Sequence, residues 1–320
     1  MFFEGSEKRV EIIINNPKYS LINNLSDVFW SELIDCSQAK ILSKIDNKQC
    51  KAFILSESSL FVWHNRFVIL TCGVTGLVNS VEYFVQQMGK QSIGYLTYQR
   101  KNEYYSKAQP TSFSDDIKKL KTYVEGDALR LGDMDSNHVY LFHKKEGIQH
   151  KHFNKSYEFF AYQISDKASN ELTRRNLKNT EIRKFLRLDY LLEGFDIDDH
   201  VFEPYGYSIN AIKADEYITI HVTPQAESSY VSIESNVNLS YLIPSILNVL
   251  QPQTFDLLCF NDDVFDYELS GEADKKYSRF KSVSRRLNNG MFVCYSNYVY
   301  IQAKNVKVIE CNVIELYPVS

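Results

Sequence analysis

The stretch from Leu55 to Gly73, LSESSLFVWHNRFVILTCG, constrains the fold more than any other part of the chain. Two runs rich in Val, Ile, Phe and Trp, Leu60–Trp63 and Phe67–Leu70, flank the polar residues His64, Asn65 and Arg66, which predicts a β-hairpin. With the turn centred near Asn65, antiparallel pairing sets Ser58 opposite Cys72. A second hairpin is expected over Tyr205–Pro224, YGYSINAIKADEYITIHVTP, turning at Ala214-Asp215 and setting Ser208 opposite His221. The spacings are nearly equal, fourteen residues from Ser58 to Cys72 and thirteen from Ser208 to His221. Two similar units of this kind suggest an internally duplicated fold with one site between or beside them.

The rest of the chain reads as alternating strands and helices. Val10–Ile14 is a short apolar strand, and Ser26 caps a helix carrying Val28, Phe29, Leu33 and Ile34. Leu77, Val81, Phe84, Val85 and Met88 recur at helical spacing. Strands follow at Ile93–Tyr98, Ala128–Leu131 and His138–His143, with a helix at Asp115–Val124 capped by Ser114. The polar stretch Lys144–Lys155 and a helix-like Ser156–Arg175 mark the join of two halves, about 1–160 and 161–320, packed as a single domain without a Gly/Ser linker. The second half reads as strands over Phe202–Asn236, a helix over Leu239–Leu250, and strands at Phe255–Phe260, Phe292–Gln302 and Val306–Leu316. The expected fold is α+β, an αββα sandwich of two mostly antiparallel sheets flanked by helices.

Composition narrows the classes of function. A net charge of −4 and a pI near 6.0 give no electrostatic reason to expect nucleic acid or an anionic membrane as partner. The N-terminus lacks a signal peptide's basic and apolar regions, and no stretch approaches the ~20 apolar residues of a membrane span, so a cytoplasmic setting is expected. The 6 cysteines lack metal spacing, which favours free thiols, and the sequons at Asn24, Asn154 and Asn238 are then unused. GxGxxG and GxxxxGK[ST] are absent, so no nucleotide-phosphate loop is expected.

Ser58 follows a glutamate at a predicted turn. A hydroxyl there can attack the preceding carbonyl, turning amide into ester; β-elimination would leave a dehydroalanine that hydrolyses to a pyruvoyl group. The blocks FFEGSEKRVEI, LSESS with TCG, GYSIN with HVTP, and SYVSIESN occur in one order and together resemble the eukaryotic S-adenosylmethionine decarboxylases. The resemblance implies cleavage between Glu57 and Ser58, pyruvate on Ser58 forming a Schiff base with substrate, and no metal or PLP. It implies Cys72 as proton donor, Ser208 and His221 in processing, and N-terminal glutamates needed for activity at Glu4 and Glu7. By pattern alone those glutamates read as a solvated face. It also implies adenine held between Phe3 and Phe202 with backbone contacts from Leu55, and a product, decarboxylated S-adenosylmethionine, that feeds spermidine synthesis.

The chain departs from the family at two places. The ribose-binding glutamate of TPE is Gln225 here, which loses charge-assisted bonds and implies weaker substrate binding. Of the acidic putrescine site of some members, Glu11, Glu158 and Glu234 remain, but the aspartate is Asn154 and the lysine is Leu70, so activation by putrescine is not expected. His150 and His152 read as solvated. Two other readings stay open at this level: a non-catalytic or weakly active paralogue that binds and activates an active decarboxylase partner, and a Cys/His hydrolase using Cys72 and His221. The oligomeric state, homodimer or monomer, is open too.

Overall fold

The computed structural model describes residues 4–146, 154–226, 228–269 and 272–301. Strands β1 (Lys8–Ile14), β2 (Ile41–Asp46), β3 (Cys50–Leu55), β4 (Ser58–Trp63), β5 (Arg66–Thr71), β6 (Ile93–Lys101), β7 (Gly126–Gly132) and β8 (His138–Lys144) form one sheet in the order β2-β3-β4-β5-β1-β6-β8-β7. Strands β9 (Ser156–Tyr162), β10 (Asp196–Val201), β11 (Tyr207–Lys213), β12 (Glu216–Thr223), β13 (Tyr230–Ser235), β14 (Thr254–Phe260), β15 (Tyr277–Arg286) and β16 (Phe292–Tyr300) form the other, in the order β10-β11-β12-β13-β9-β14-β16-β15. Strand for strand, the second order repeats the first. The fold is the expected duplicated α+β sandwich.

Alternation along the strands decides what faces what. In β12, Ile218, Ile220 and Val222 join the apolar core on the helix side of the second sheet, while Thr219 and His221 take up polar partners. In β1, Val10, Ile12 and Ile14 pack with the helices Asp27–Asp35, Val78–Met88 and Phe113–Leu120. Glu7, Arg9 and Glu11 sit at the alternate positions and are buried too. Two apolar clusters span the gap between the sheets, one around Phe61, Trp63 and Tyr217 and one around Phe160, Tyr162 and Tyr295. Charged groups also cross it: Lys101 Nζ lies 2.9 Å from Asp256 and 4.3 Å from the centre of the Phe160 ring.

Several sequence expectations need correction. The first hairpin turns on two residues, His64-Asn65, not three, so Ser58 pairs with Thr71 and the backbone of Cys72 meets Glu57. The second hairpin pairs Ser208 with His221. The two hairpins are not equivalent: by strand order β11–β12 corresponds to β3–β4, and the similar spacing of the polar pairs does not reflect the duplication. Ser156–Arg175 is not helical throughout; SYEFFAY is a strand buried along its length, and a helix begins only at Asp166. The helix expected from Ser114 starts at Phe113, capped by Ser112, because Asp115 closes a capping box with it. Strands β2, β3, β10 and β15 were not foreseen. Phe3, His150, His152 and the expected strand Val306–Leu316 lie outside the described residues.

The Lys101–Asp256 pair joins the sheets with both charges out of water. Truncating Asp256→Ala strands the Lys101 ammonium, and we expect urea unfolding to show a loss of about 3–5 kcal/mol. The double change Lys101→Met with Asp256→Leu should recover most of it. A loss below about 1 kcal/mol in the single variant would mean that the pair does not hold the sheets.

Candidate active site

Strands β3 and β4 are joined by the tight turn Ser56-Glu57, with Leu55 pairing to Ser58. Ser58 has φ +136°, a region that favours glycine. A side chain held there stores backbone strain. Its hydroxyl is buried without a hydrogen-bond partner. The carbonyl just before it is well served: Glu57 O accepts the Cys72 backbone N–H at 2.8 Å and the Cys72 thiol at 3.2 Å. Two donors on one carbonyl oxygen polarise its carbon and would stabilise negative charge developing on the oxygen. An unspent nucleophile thus adjoins an activated carbonyl at a strained turn.

The facing wall comes from the second sheet. Ser208 Oγ lies 2.8 Å from His221 Nδ1, and Thr219 Oγ1 lies 2.9 Å from His221 Nε2. Burial pushes His221 down to about 3, so the ring is a neutral base at working pH. Burial, with Glu57 and Glu7 adding to it, pushes the Cys72 thiol well up, so it keeps its proton. Burial also lifts the Glu57 carboxyl to about 7, opposed by the charge of Lys8. Ser58, Glu57, Cys72, Ser208 and His221 line one cavity of about 260 Å³, with Phe202, Thr223 and Gln225 also in its wall.

The other sequence-nominated residues are dispersed. Leu55 is buried in the helix-side core of the first sheet. Glu4 and Glu7 are not on a solvated face: Glu4 accepts the Tyr105 N–H at 2.9 Å, and Glu7 accepts from Ser232 Oγ at 2.5 Å. Burial lifts Glu7 to about 8. Neither glutamate is part of the described cavity wall, although the charge of Glu7 acts on Cys72.

The acidic cluster is real, but it is already filled. Arg9 reaches Glu234 at 2.9 Å, Glu11 at 3.1 Å and Glu158 at 3.5 Å, and Arg66 takes the other oxygen of Glu11 at 3.2 Å. Asn154 accepts Asn261 Nδ2 at its backbone carbonyl, at 2.9 Å. Arg9 pairs across the sheet with Leu70, where the lysine was missed. The Glu7-Arg9-Glu11 alternation was the sequence signal for this, and it reads equally as an exposed charged face. A Cys/His hydrolase is not supported, because the Cys72 thiol is directed to Glu57 O and both His221 nitrogens to hydroxyls. No helix among the described residues is long and apolar enough to cross a membrane.

Residues 1–300 match the family model described as adenosylmethionine decarboxylase. The S-adenosylmethionine decarboxylase proenzyme of Leishmania donovani is 31% identical over 280 residues, covering 81% of this chain and 73% of that one. The proenzyme of Trypanosoma cruzi is 29% identical, covering 92% and 88%. Among solved structures, the Trypanosoma brucei AdoMetDC-delta26 monomer superposes with a TM-score of 0.57 at 25% identity, over 75% of this chain and 98% of that one.

Strain at Ser58 has a direct test in two variants that both lack the hydroxyl. Glycine relieves φ +136° and alanine does not. We expect Ser58→Gly to be more stable than Ser58→Ala by about 1–2 kcal/mol in denaturant unfolding. Equal stability, or a more stable alanine variant, would show that the turn is unstrained.

Proposed function

The chain belongs to the adenosylmethionine decarboxylase family, and we propose that it cuts itself between Glu57 and Ser58 and then decarboxylates S-adenosyl-L-methionine to S-adenosylmethioninamine and CO2. The observation that carries this reading is the buried, unpartnered Ser58 hydroxyl beside a carbonyl that takes both donors of Cys72. In the first step Ser58 Oγ bonds to the Glu57 carbonyl carbon while the C–N bond breaks, giving an ester and a free amine on Ser58. Removal of the Ser58 Cα proton then expels the Glu57 carboxylate from Cβ. Water replaces the nitrogen of the resulting dehydroalanine, releasing ammonia and leaving a pyruvoyl group on chain 58–320.

The site fits that group, since the residue that would carry it is anchored at a strand end and its wall is built from both sheets. A pyruvoyl group there supplies an electrophilic carbonyl for the substrate amine and takes up the electrons released with CO2. Cys72, protonated at neutral pH, is placed to return a proton to the substrate's α-carbon. Neutral His221 with Ser208 serves the elimination that completes processing. Phe202 offers a face for adenine. Gln225 can meet the ribose hydroxyls with neutral hydrogen bonds in place of charged ones.

A diamine activator would have to enter a cluster where Arg9 already pairs with Glu11, Glu158 and Glu234, and Arg66 with Glu11. Adding a further cation to that buried site is unfavourable. Arg9 in effect supplies the charge from within the chain.

The test is release of labelled CO2 from carboxyl-labelled S-adenosylmethionine. We expect turnover that cyanoborohydride abolishes only when substrate is present, through reduction of the substrate amine onto the chain; no CO2 release would overturn the reading. In the same assay putrescine should change the rate by less than about twofold, given the built-in cation. A several-fold stimulation would contradict the role given to Arg9.

A further inference from the structure

Behind the Ser208–His221 pair, a chain of polar contacts crosses from one sheet to the other. Ser208 and Asn210 lie two residues apart on β11, and each faces its partner on β12, His221 and Thr219 respectively. Asn210 Oδ1 receives Thr219 Oγ1 at 2.9 Å and, from β4 of the other sheet, Ser59 Oγ at 2.7 Å. Thr219 Oγ1 also stands 2.9 Å from His221 Nε2. Ser59, Asn210 and Thr219 are fully buried, so no water can replace a missing partner.

The protons in this chain can be counted. The Asn210 amide turns its oxygen to Thr219 and leaves its nitrogen without a partner; an amide oxygen only accepts, so in this orientation the single Thr219 hydroxyl proton goes to Asn210 Oδ1 at 2.9 Å rather than to Ser59 Oγ at 3.4 Å. Facing His221, the Thr219 oxygen can then act only as acceptor, and Nε2 must carry the ring's hydrogen. A neutral imidazole has one N–H, so Nδ1 is left as a bare lone pair, accepting from the Ser208 hydroxyl at 2.8 Å. Burial keeps the ring neutral, so the doubly protonated form does not erase the distinction.

We propose that Thr219 and Asn210 are positioning residues that lock His221 as the Nε2–H tautomer, so that Nδ1 is the basic atom available for self-processing. The proposal rests on the self-processing reading above. In the elimination the proton leaving Ser58 Cα must end on Nδ1, directly or through the Ser208 hydroxyl, as the Cβ–O bond to Glu57 breaks. With the opposite tautomer, Nδ1 presents a hydrogen to Ser208 and has no lone pair to offer. Ser59, which directly follows Ser58, ties the turn to the same chain of contacts through Asn210.

Two measurements test this independently. The first uses the full-length Ser58→Ala protein, which cannot cut, with 15N-labelled histidine; imidazole nitrogen shifts give the tautomer of His221, assigned by its loss in His221→Gln. Nε2–H with bare Nδ1 is expected, and a protonated Nδ1 overturns the proposal. It needs no Thr219 variant and no working cleavage. The second follows cutting of freshly synthesised full-length chain on denaturing gels. Thr219→Val should slow it at least about tenfold, in keeping with the usual worth of a general base. Uncut ester should build up, which hydroxylamine splits at Glu57; Thr219→Ser, which keeps the hydroxyl, should restore the rate.

Wild-type cutting by Thr219→Val, or slow cutting without hydroxylamine-sensitive ester, would overturn the positioning role. If wild-type chain never cuts, the self-processing reading itself fails, and the tautomer measurement still judges the lock.

Discussion

Charge buried between two sheets is the constraint that organises this molecule. Arg9 is held by Glu11, Glu158 and Glu234, and Tyr217 also donates to Glu234, so β1, β9, β12 and β13 must meet in one register for any of these groups to be satisfied. The Lys101–Asp256 pair repeats the demand between β6 and β14. Burying such groups gains little stability in itself, but misplacing them leaves uncompensated charge at a cost of several kcal/mol. Apolar clusters on either side of this belt pull the sheets together, and the belt restricts how they may sit.

That fixed register positions the chemistry. Ser58 comes from a tight turn of the first sheet and His221 from a central strand of the second, and the two line one cavity because the sheets are locked face to face. The contact from Ser59 to Asn210 carries the coupling to the residue that directly follows Ser58. Strain at Ser58 is tolerated because the strands on both sides of β4, β3 and β5, hold it in place. A loop could relax from the same φ; a turn between paired strands cannot.

Much of this was legible from alternation. In EYITIHVT the Ile, Ile and Val of one face and the Thr and His of the other can be read directly, and the pairing of Ser208 with His221 follows from the turn. The first hairpin fails by one residue because a turn of two cannot be told from a turn of three by polarity alone, and that single step moves Cys72 from Ser58 to Glu57. The error matters chemically, since it puts the thiol on the carbonyl rather than on the nucleophile. Strand β9 was missed because a central strand buried on both faces loses the alternation that marks a half-buried one. Strand β15 was missed for the opposite reason: almost all of it is exposed, so burial leaves no pattern in it. Nothing in the sequence singles out Arg9, and only the arrival of Glu158 and Glu234 from the other sheet gives it a role.

The most direct measurement is the intact mass of the purified wild-type protein. Two chains are expected, residues 1–57 and 58–320, the larger blocked at its first residue by a carbonyl in place of the amine. A single chain of 320 residues with the mass of the full sequence would contradict the assignment of Ser58 and with it the chemistry built on that turn.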